Sequence, residues 1–182
     1  MLRIGVNALY LIPGGVGGTE IYLRNLLAAL AEIDGENLYV VFTNRETGRD
    51  LIPDRPNFVW RPQPVRASFR PARILWEQTG LPLAVRRARL DVLFNPGFTC
   101  PVLCSCPNVT VFHDLQHKRH PEYFRWFDLP FWRLLLRGSA RRSRGLISVS
   151  AATRDDLKHF YGVDSVVIHH GAEREFFEIS RH

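Results

Sequence analysis

Along the 182-residue chain the apolar positions switch repeatedly between a strand-like and a helix-like period. "RIGVNALYL" is strand-like, and "TEIYLRNLLAALAEI" then spaces Ile21, Leu23, Leu26, Leu27, Leu30 and Ile33 at helical intervals, with Thr19 as its cap. "NLYVVFTN" predicts a second strand, and "NFVWRPQ", edged by Pro56 and Pro62, a weaker one suited to a sheet edge. "PARILWEQTGLPLAVRRAR" predicts a helix broken near Gly80 and Pro82, and the strands "DVLFN" and "NVTVFH" follow it. "EYFRWFDLPFWRLLLRGSARRS" predicts a helix interrupted at Pro130. After it come the strand "GLISVS", the helix "AATRDDLKHFYG" opened by Ser150 and closed by Gly162, and the strand "SVVIHH". Short apolar strands alternating with amphipathic helices imply right-handed crossovers. The predicted fold is therefore α/β: a Rossmann-like, doubly wound, mostly parallel sheet with helices on both faces.

A 46% hydrophobic composition provides enough apolar mass for one domain and argues against disorder. No apolar run approaches the ~18 residues of a membrane span, and the first residues lack a charged segment followed by an apolar stretch, so the chain is expected to be cytoplasmic. Cys100, Cys104 and Cys106 crowd into "CPVLCSC", an odd number in one loop, which reads as loop thiols rather than a disulfide framework or a zinc site. The net charge of +6 is unevenly placed. Residues 1–60 carry 5 basic and 7 acidic side chains, residues 61–144 carry 15 and 5, and residues 145–182 carry 4 and 6. Lys118 and Lys158 are the only lysines, so the excess is arginine, which suits bidentate contact with phosphate as well as a solvated surface.

Sheets of this class bind ligands beyond the carboxyl ends of their strands, which makes the residues there informative. After the first strand, Gly14, Gly15, Gly17 and Gly18 precede a helix, where backbone N–H groups and the helix N-terminus can receive a phosphate or carboxylate. The same glycines also suit a tight turn that packs the helix on the sheet. Neither the dinucleotide glycine pattern nor the lysine-serine or lysine-threonine pair of a phosphate-binding loop is present. His113 closes the strand "VTVF" and is followed by Asp114, His117 and His120. Two histidines four apart bind zinc when they share a helix face, but His113 follows a strand and Pro121 follows His120, so no metal site is expected. An imidazole at this strand end can contact a sugar hydroxyl, a carbonyl or a phosphate oxygen, or simply close the strand.

Taken in order, "PGGVGGTE", "VTVFHDL" with "HPEYF", "ISVSAATRDDLKHFYGV" and "SVVIHHGAEREFF" resemble the N-terminal domain of retaining nucleotide-sugar glycosyltransferases of GT-B architecture, family four. The resemblance implies residues 1–170 as an acceptor-side domain and residues 171–182 as the start of an inter-domain segment. It implies, too, a C-terminal nucleotide-sugar domain, absent from this chain, which would supply a pair of glutamates. It places Gly14, Gly15, Gly17 and Gly18 in the cleft loop near the acceptor and donor phosphates, and His113, paired with Asp114, beside the transferred sugar. Asn95, which ends "DVLFN", and Ser150, which starts the helix before the last strand, are further cleft candidates. Where the family more often has a proline-asparagine pair, this chain has His169-His170, which leaves the role of His170 open.

The reaction implied is transfer of a hexosyl or mannosyl group, with retention, from a nucleotide-diphosphate sugar to a hydroxyl of a glycan or lipid-linked acceptor. No cofactor, metal or nucleic acid takes part in it, and the chain alone is expected to be inactive. The stretch "YFRWFDLPFWRLLLRGSARRSR" sets Trp126, Phe127, Phe131 and Trp132 beside Arg125, Arg133, Arg137, Arg141, Arg142 and Arg144. Family members acting on lipid-linked acceptors rest on membranes through such patches. Apolar residues at helical spacing are more often core, and burial of these aromatics is the expectation.

Overall fold

The computed structural model describes residues 1–124, 126 and 129–171. Its strands are β1 (Arg3–Ala8), β2 (Leu38–Thr43), β3 (Phe58–Pro62), β4 (Val92–Asn95), β5 (Asn108–Phe112), β6 (Gly145–Ser148) and β7 (Val166–Val167). The helices are α1 (Gly18–Ile33), α2 (Arg70–Arg87), α3 (Gln116–Arg119), α4 (Leu129–Arg142) and α5 (Ala151–Tyr161). Seven strands form one sheet in the order β3-β2-β1-β4-β5-β6-β7, and every pairing is parallel. The chain winds outward from β1 to the β3 edge, returns to place β4 on the other side of β1, and winds outward again. This reversal between β1 and β4 is the switch point at which open parallel sheets gather ligands.

The apolar runs are explained by burial of the sheet on both faces. In β2, Tyr39 and Val41 enter the core shared with Leu23 and Leu27 of α1, while Val40 and Phe42 enter the core shared with Leu81 and Val85 of α2. Alternate side chains thus serve opposite cores, and a continuous apolar strand results. A third cluster joins Phe112, Leu115, Leu136, Leu146, Leu157 and Tyr161 between β5, β6, α4 and α5. Gly5 is closely packed, since a Cβ there would lie 2.4 Å from the Leu90 Cδ1 atom.

Several local expectations change. The α1 cap position is Gly17, and Thr19 sits in the first turn with its hydroxyl donating to the Val16 carbonyl at 3.0 Å. Leu23 and Leu27 are buried, but Ile21 and Ile33 point to solvent because the α1 face against the sheet is narrower than the apolar stripe. Helix α2 runs unbroken through Gly80 and Pro82. The Trp76 ring lies over Gly80, where a Cβ would meet it at 2.5 Å, and buried Leu81 and Val85 anchor the segment around the proline. Pro130 stands at the start of α4 rather than within it, where a proline costs no hydrogen bond. Ser150 and Gly162 bound α5 as expected: the Ser150 hydroxyl accepts from the Thr153 amide at 3.1 Å, and Gly162 is left-handed at φ 68°. The aromatics of the basic stretch divide. Trp132 packs against the third cluster, whereas Trp126 is 84% and Phe131 50% exposed. Arg125, Phe127 and the segment from residue 172 onward lie outside the described residues.

Candidate functional site

Beyond the carboxyl ends of β1, β4 and β5 lies an open cleft of about 670 Å³. Each strand delivers its next residues into it: Tyr10 and Ile12 after β1, Gly97 and Phe98 after β4, His113 and Asp114 after β5. The turn after β4 is tightly built. Phe98 adopts φ 68°, a conformation that costs a non-glycine residue energy and recurs at ligand sites. Gly97 lies so close under the Tyr10 ring that a Cβ would come within 2.3 Å of it.

His113 is half-buried at the centre of this wall. Its Nε2 lies 2.8 Å from the Pro96 carbonyl. A carbonyl only accepts, so Nε2 carries the proton and Nδ1 keeps its lone pair. Burial, chiefly, together with the nearby His170, holds the pKa of the ring below the ordinary histidine value. The side chain is thus a neutral, oriented acceptor. Aromatic neighbours fix its plane: Tyr22 lies edge-on at 5.3 Å, Phe98 at 5.1 Å and His170 at 5.2 Å. His170 itself stacks on Tyr22 at 4.7 Å and lines the cleft. Asp114 is exposed at the rim, where its carboxylate accepts from the Gln116 amide at 3.1 Å and turns the chain into α3.

Opposite stands the glycine loop. Gly14 (φ 70°) and Gly17 (φ 59°) are left-handed, which only glycine adopts without strain, while Gly15 and Gly18 line the cleft. The Gly14 amide donates to the Glu20 carboxylate at 2.8 Å, and the Gly15 amide to the Ile12 carbonyl at 2.8 Å. The Glu20 side chain, itself bonded to Arg24 at 2.9 Å, places a negative charge in the first turn of α1. Within this loop the amides of Val16, Gly17 and Gly18 have no acceptor among the described residues.

The other candidates lie elsewhere. Asn95 is enclosed in the sheet, accepting from Asn7 Nδ2 at 3.0 Å and donating to Asn108 Oδ1 at 3.2 Å. It ties β1, β4 and β5 together beneath the cleft floor. Ser150 caps α5 and is not among the cleft-lining residues. His117 sits in α3 with its ring buried and its Nε2 2.6 Å from the Tyr161 hydroxyl. Burial pushes its pKa down to about 4 and that of Tyr161 up to about 12. His120 Nδ1 meets Glu122 at 3.0 Å on the surface. The three histidine rings of this region therefore turn to three different partners, and no metal-binding group of three His, Cys, Asp or Glu side chains occurs among the described residues. No helix among them is long and apolar enough to cross a membrane.

The remaining wall comes from α2 and α4 and was not legible as a site in the sequence. Arg70 and Arg73 of α2 and Trp132 and Leu136 of α4 line it. Arg70 lies over the Trp132 ring at 5.2 Å, and Arg73 pairs with buried Glu77 at 3.2 Å. The available signal was an arginine and a glutamate four apart within an otherwise apolar helix face.

Comparison with known proteins agrees with this architecture. The Glycosyltransferase Family 4 model matches residues 16–176. A solved structure described as lipopolysaccharide outer core galactosyltransferase WaaB, in its apo form, superposes with a TM-score of 0.60 at 11% identity, covering 94% of this chain and 46% of that one. A glycosyltransferase from Rickettsia africae ESF-5 superposes with a TM-score of 0.52 at 15% identity, covering 100% of this chain and 46% of its own. The chain thus spans about half the length of each solved structure. No curated protein matches it in sequence.

Proposed function

Because the chain belongs to glycosyltransferase family 4, we propose that it forms the acceptor-side wall of a retaining glycosyltransferase whose nucleotide-sugar is held mainly by a second domain beyond residue 170. The observation that carries this reading is the cleft at the sheet's switch point, where neutral His113 faces the glycine loop. In the reaction the bond between the anomeric carbon and the leaving diphosphate oxygen breaks, and its electrons stay with the diphosphate. The acceptor hydroxyl oxygen bonds to the anomeric carbon on the same face, and its proton passes to the departing phosphate oxygen.

His113 contributes position and electrostatics. Its Nδ1 accepts a hydrogen bond from a hydroxyl of the transferred sugar and so holds the ring while positive charge spreads over the anomeric centre. The Gly17 and Gly18 amides, at the positive end of α1, approach the developing negative charge of the diphosphate. Since positioning requires both walls of a closed cleft, the chain by itself binds but does not turn over. The acceptor is a glycan or lipid-linked glycan. Exposed Trp126, Phe131 and Leu134 beside Arg133, Arg137 and Arg141 favour peripheral contact with the cytoplasmic face of an anionic membrane.

The test is transfer by a form of the protein carrying the second domain. Nucleotide-sugar consumption with retained anomeric configuration, absent from the 182-residue chain, is expected. Turnover by the short chain, or an inverted product, would contradict the reading.

A further inference from the structure

Arg73 is 6% exposed, yet it is among the residues that line the cleft. A guanidinium has five N–H donors, and one buried in a protein is normally saturated by acceptors. Here Nη1 donates to Glu77 Oε2 at 3.2 Å, and among the described residues Nε and Nη2 have no protein acceptor. The partner is equally incomplete. Glu77 is 1% exposed, and although Thr99 and Asn7 stand beside its carboxylate, Oε1 receives no hydrogen bond from the described residues.

A pair enclosed this deeply and this unsaturated is costly unless something else uses it. Glu77 holds Arg73 through Nη1 and leaves Nε and Nη2 without a protein acceptor among the described residues. Arg70 lies one turn earlier, close enough that the two positive charges repel, and its own charge is placed over the Trp132 ring. The result is two arginines and an aromatic plate at the cleft, with Asp114 as the one acidic group among its described lining residues.

We propose that this end of the cleft receives an oxyanion on the acceptor, a phosphate or carboxylate, gripped by Arg73 and Arg70, while Trp132 and Leu136 cover the adjoining apolar face. The proposal rests on the acceptor-side reading above and adds the chemical class of the acceptor. Arginine forks match both oxyanions, and enclosure strengthens the contact.

The test begins with binding. The chain is titrated calorimetrically with inorganic phosphate, glucose 6-phosphate, glucuronate and glucose. Glucose 6-phosphate or glucuronate is expected to bind at least about tenfold more tightly than glucose, since charge-assisted hydrogen bonds are the stronger kind. Which of the two binds better tells phosphate from carboxylate. Arg70→Gln, an exposed change, should weaken the preferred anion about tenfold or more. Because removing one partner of a buried pair can unfold the chain, Arg73 is tested by Arg73→Lys and by the double change Arg73→Met with Glu77→Leu, which keeps a packed apolar pair. Both should fold and lose the anion. Affinity for both glucose 6-phosphate and glucuronate no better than for glucose, or anion binding unchanged by all these variants, would overturn the proposal. In the longer enzyme, Arg70→Gln should raise KM for the acceptor; a raised KM for the nucleotide-sugar alone would assign the arginines to the donor and equally overturn it. Arginine-dependent anion binding by a protein that transfers no sugar would instead sink the transferase reading and leave the anion site standing.

Discussion

The two flanks of the cleft are built by different means. The glycine loop offers backbone: two left-handed glycines, amides at the start of α1, and a neighbouring carboxylate already engaged with Gly14. The α2 and α4 flank offers side chains, two arginines and a tryptophan on regular helices anchored by the buried Glu77 and the third core cluster. A backbone flank can be damaged only by changing conformation or filling space. A side-chain flank can be altered in charge while its fold survives.

That contrast is sharpest at Gly17 and Gly18. A Cβ at either position meets nothing within 4 Å, but Gly17 is left-handed and Gly18 is the first helical residue. Gly17→Val should therefore abolish measurable transfer and also destabilise the chain by about 1–3 kcal/mol through backbone strain. Gly18→Val should leave the melting temperature nearly unchanged and still reduce transfer by roughly tenfold or more, because the added side chain enters the space a phosphate would occupy. Equal melting and activity for Gly18→Val and the parent would make the loop a packing turn.

A smaller effect is expected in stability against pH. Buried His117 is held neutral in the folded state, with its pKa near 4, below that of the unfolded chain at about 6.5. Between these values the unfolded chain binds the extra proton, so stability present above pH ~6.5 is lost as pH falls toward 4. Thermal melts should show this slope, and His117→Gln should flatten it; an unchanged slope would mean that other groups carry it. His120, exposed and paired with Glu122, should tolerate alanine with melting and transfer within a factor of two, since surface pairs contribute little. If His120→Ala proved as damaging as a change at His113, the division between cleft and surface histidines would fail.

How much of this was visible in the sequence follows the same division. Strand ends were legible because period and turn residues mark them, and the rule that ligands gather there pointed to His113 and the glycines. Ser150 and Gly162 were legible as caps for the same local reason. Asn95 carried the same strand-end signature but lies in the sheet, because alternation turns it toward Asn7 and Asn108 rather than outward. Arg70, Arg73 and Trp132 come from helices remote in sequence, and their meeting is set by tertiary packing that no local pattern encodes. Pro82 misled for a related reason: packing by Leu81 and Val85 outweighs the local cost of a proline inside α2. Exposed Trp126 and Phe131 reverse the usual meaning of an apolar stripe, which vesicle flotation can check. Anionic vesicles should retain the chain, and Trp126→Ala with Phe131→Ala should release it.

We propose that His113 belongs to the chemistry rather than to the strand end. Its Nε2 bond to Pro96 orients it, and its Nδ1 has no hydrogen-bond partner among the described residues. Transfer rates of the enzyme with both domains, at saturating donor and acceptor, measure this directly. His113→Ala should lower kcat by roughly 100-fold with an unchanged melting temperature. An enzyme that kept its rate after this substitution would reduce His113 to a cap on β5 and remove it from the chemistry.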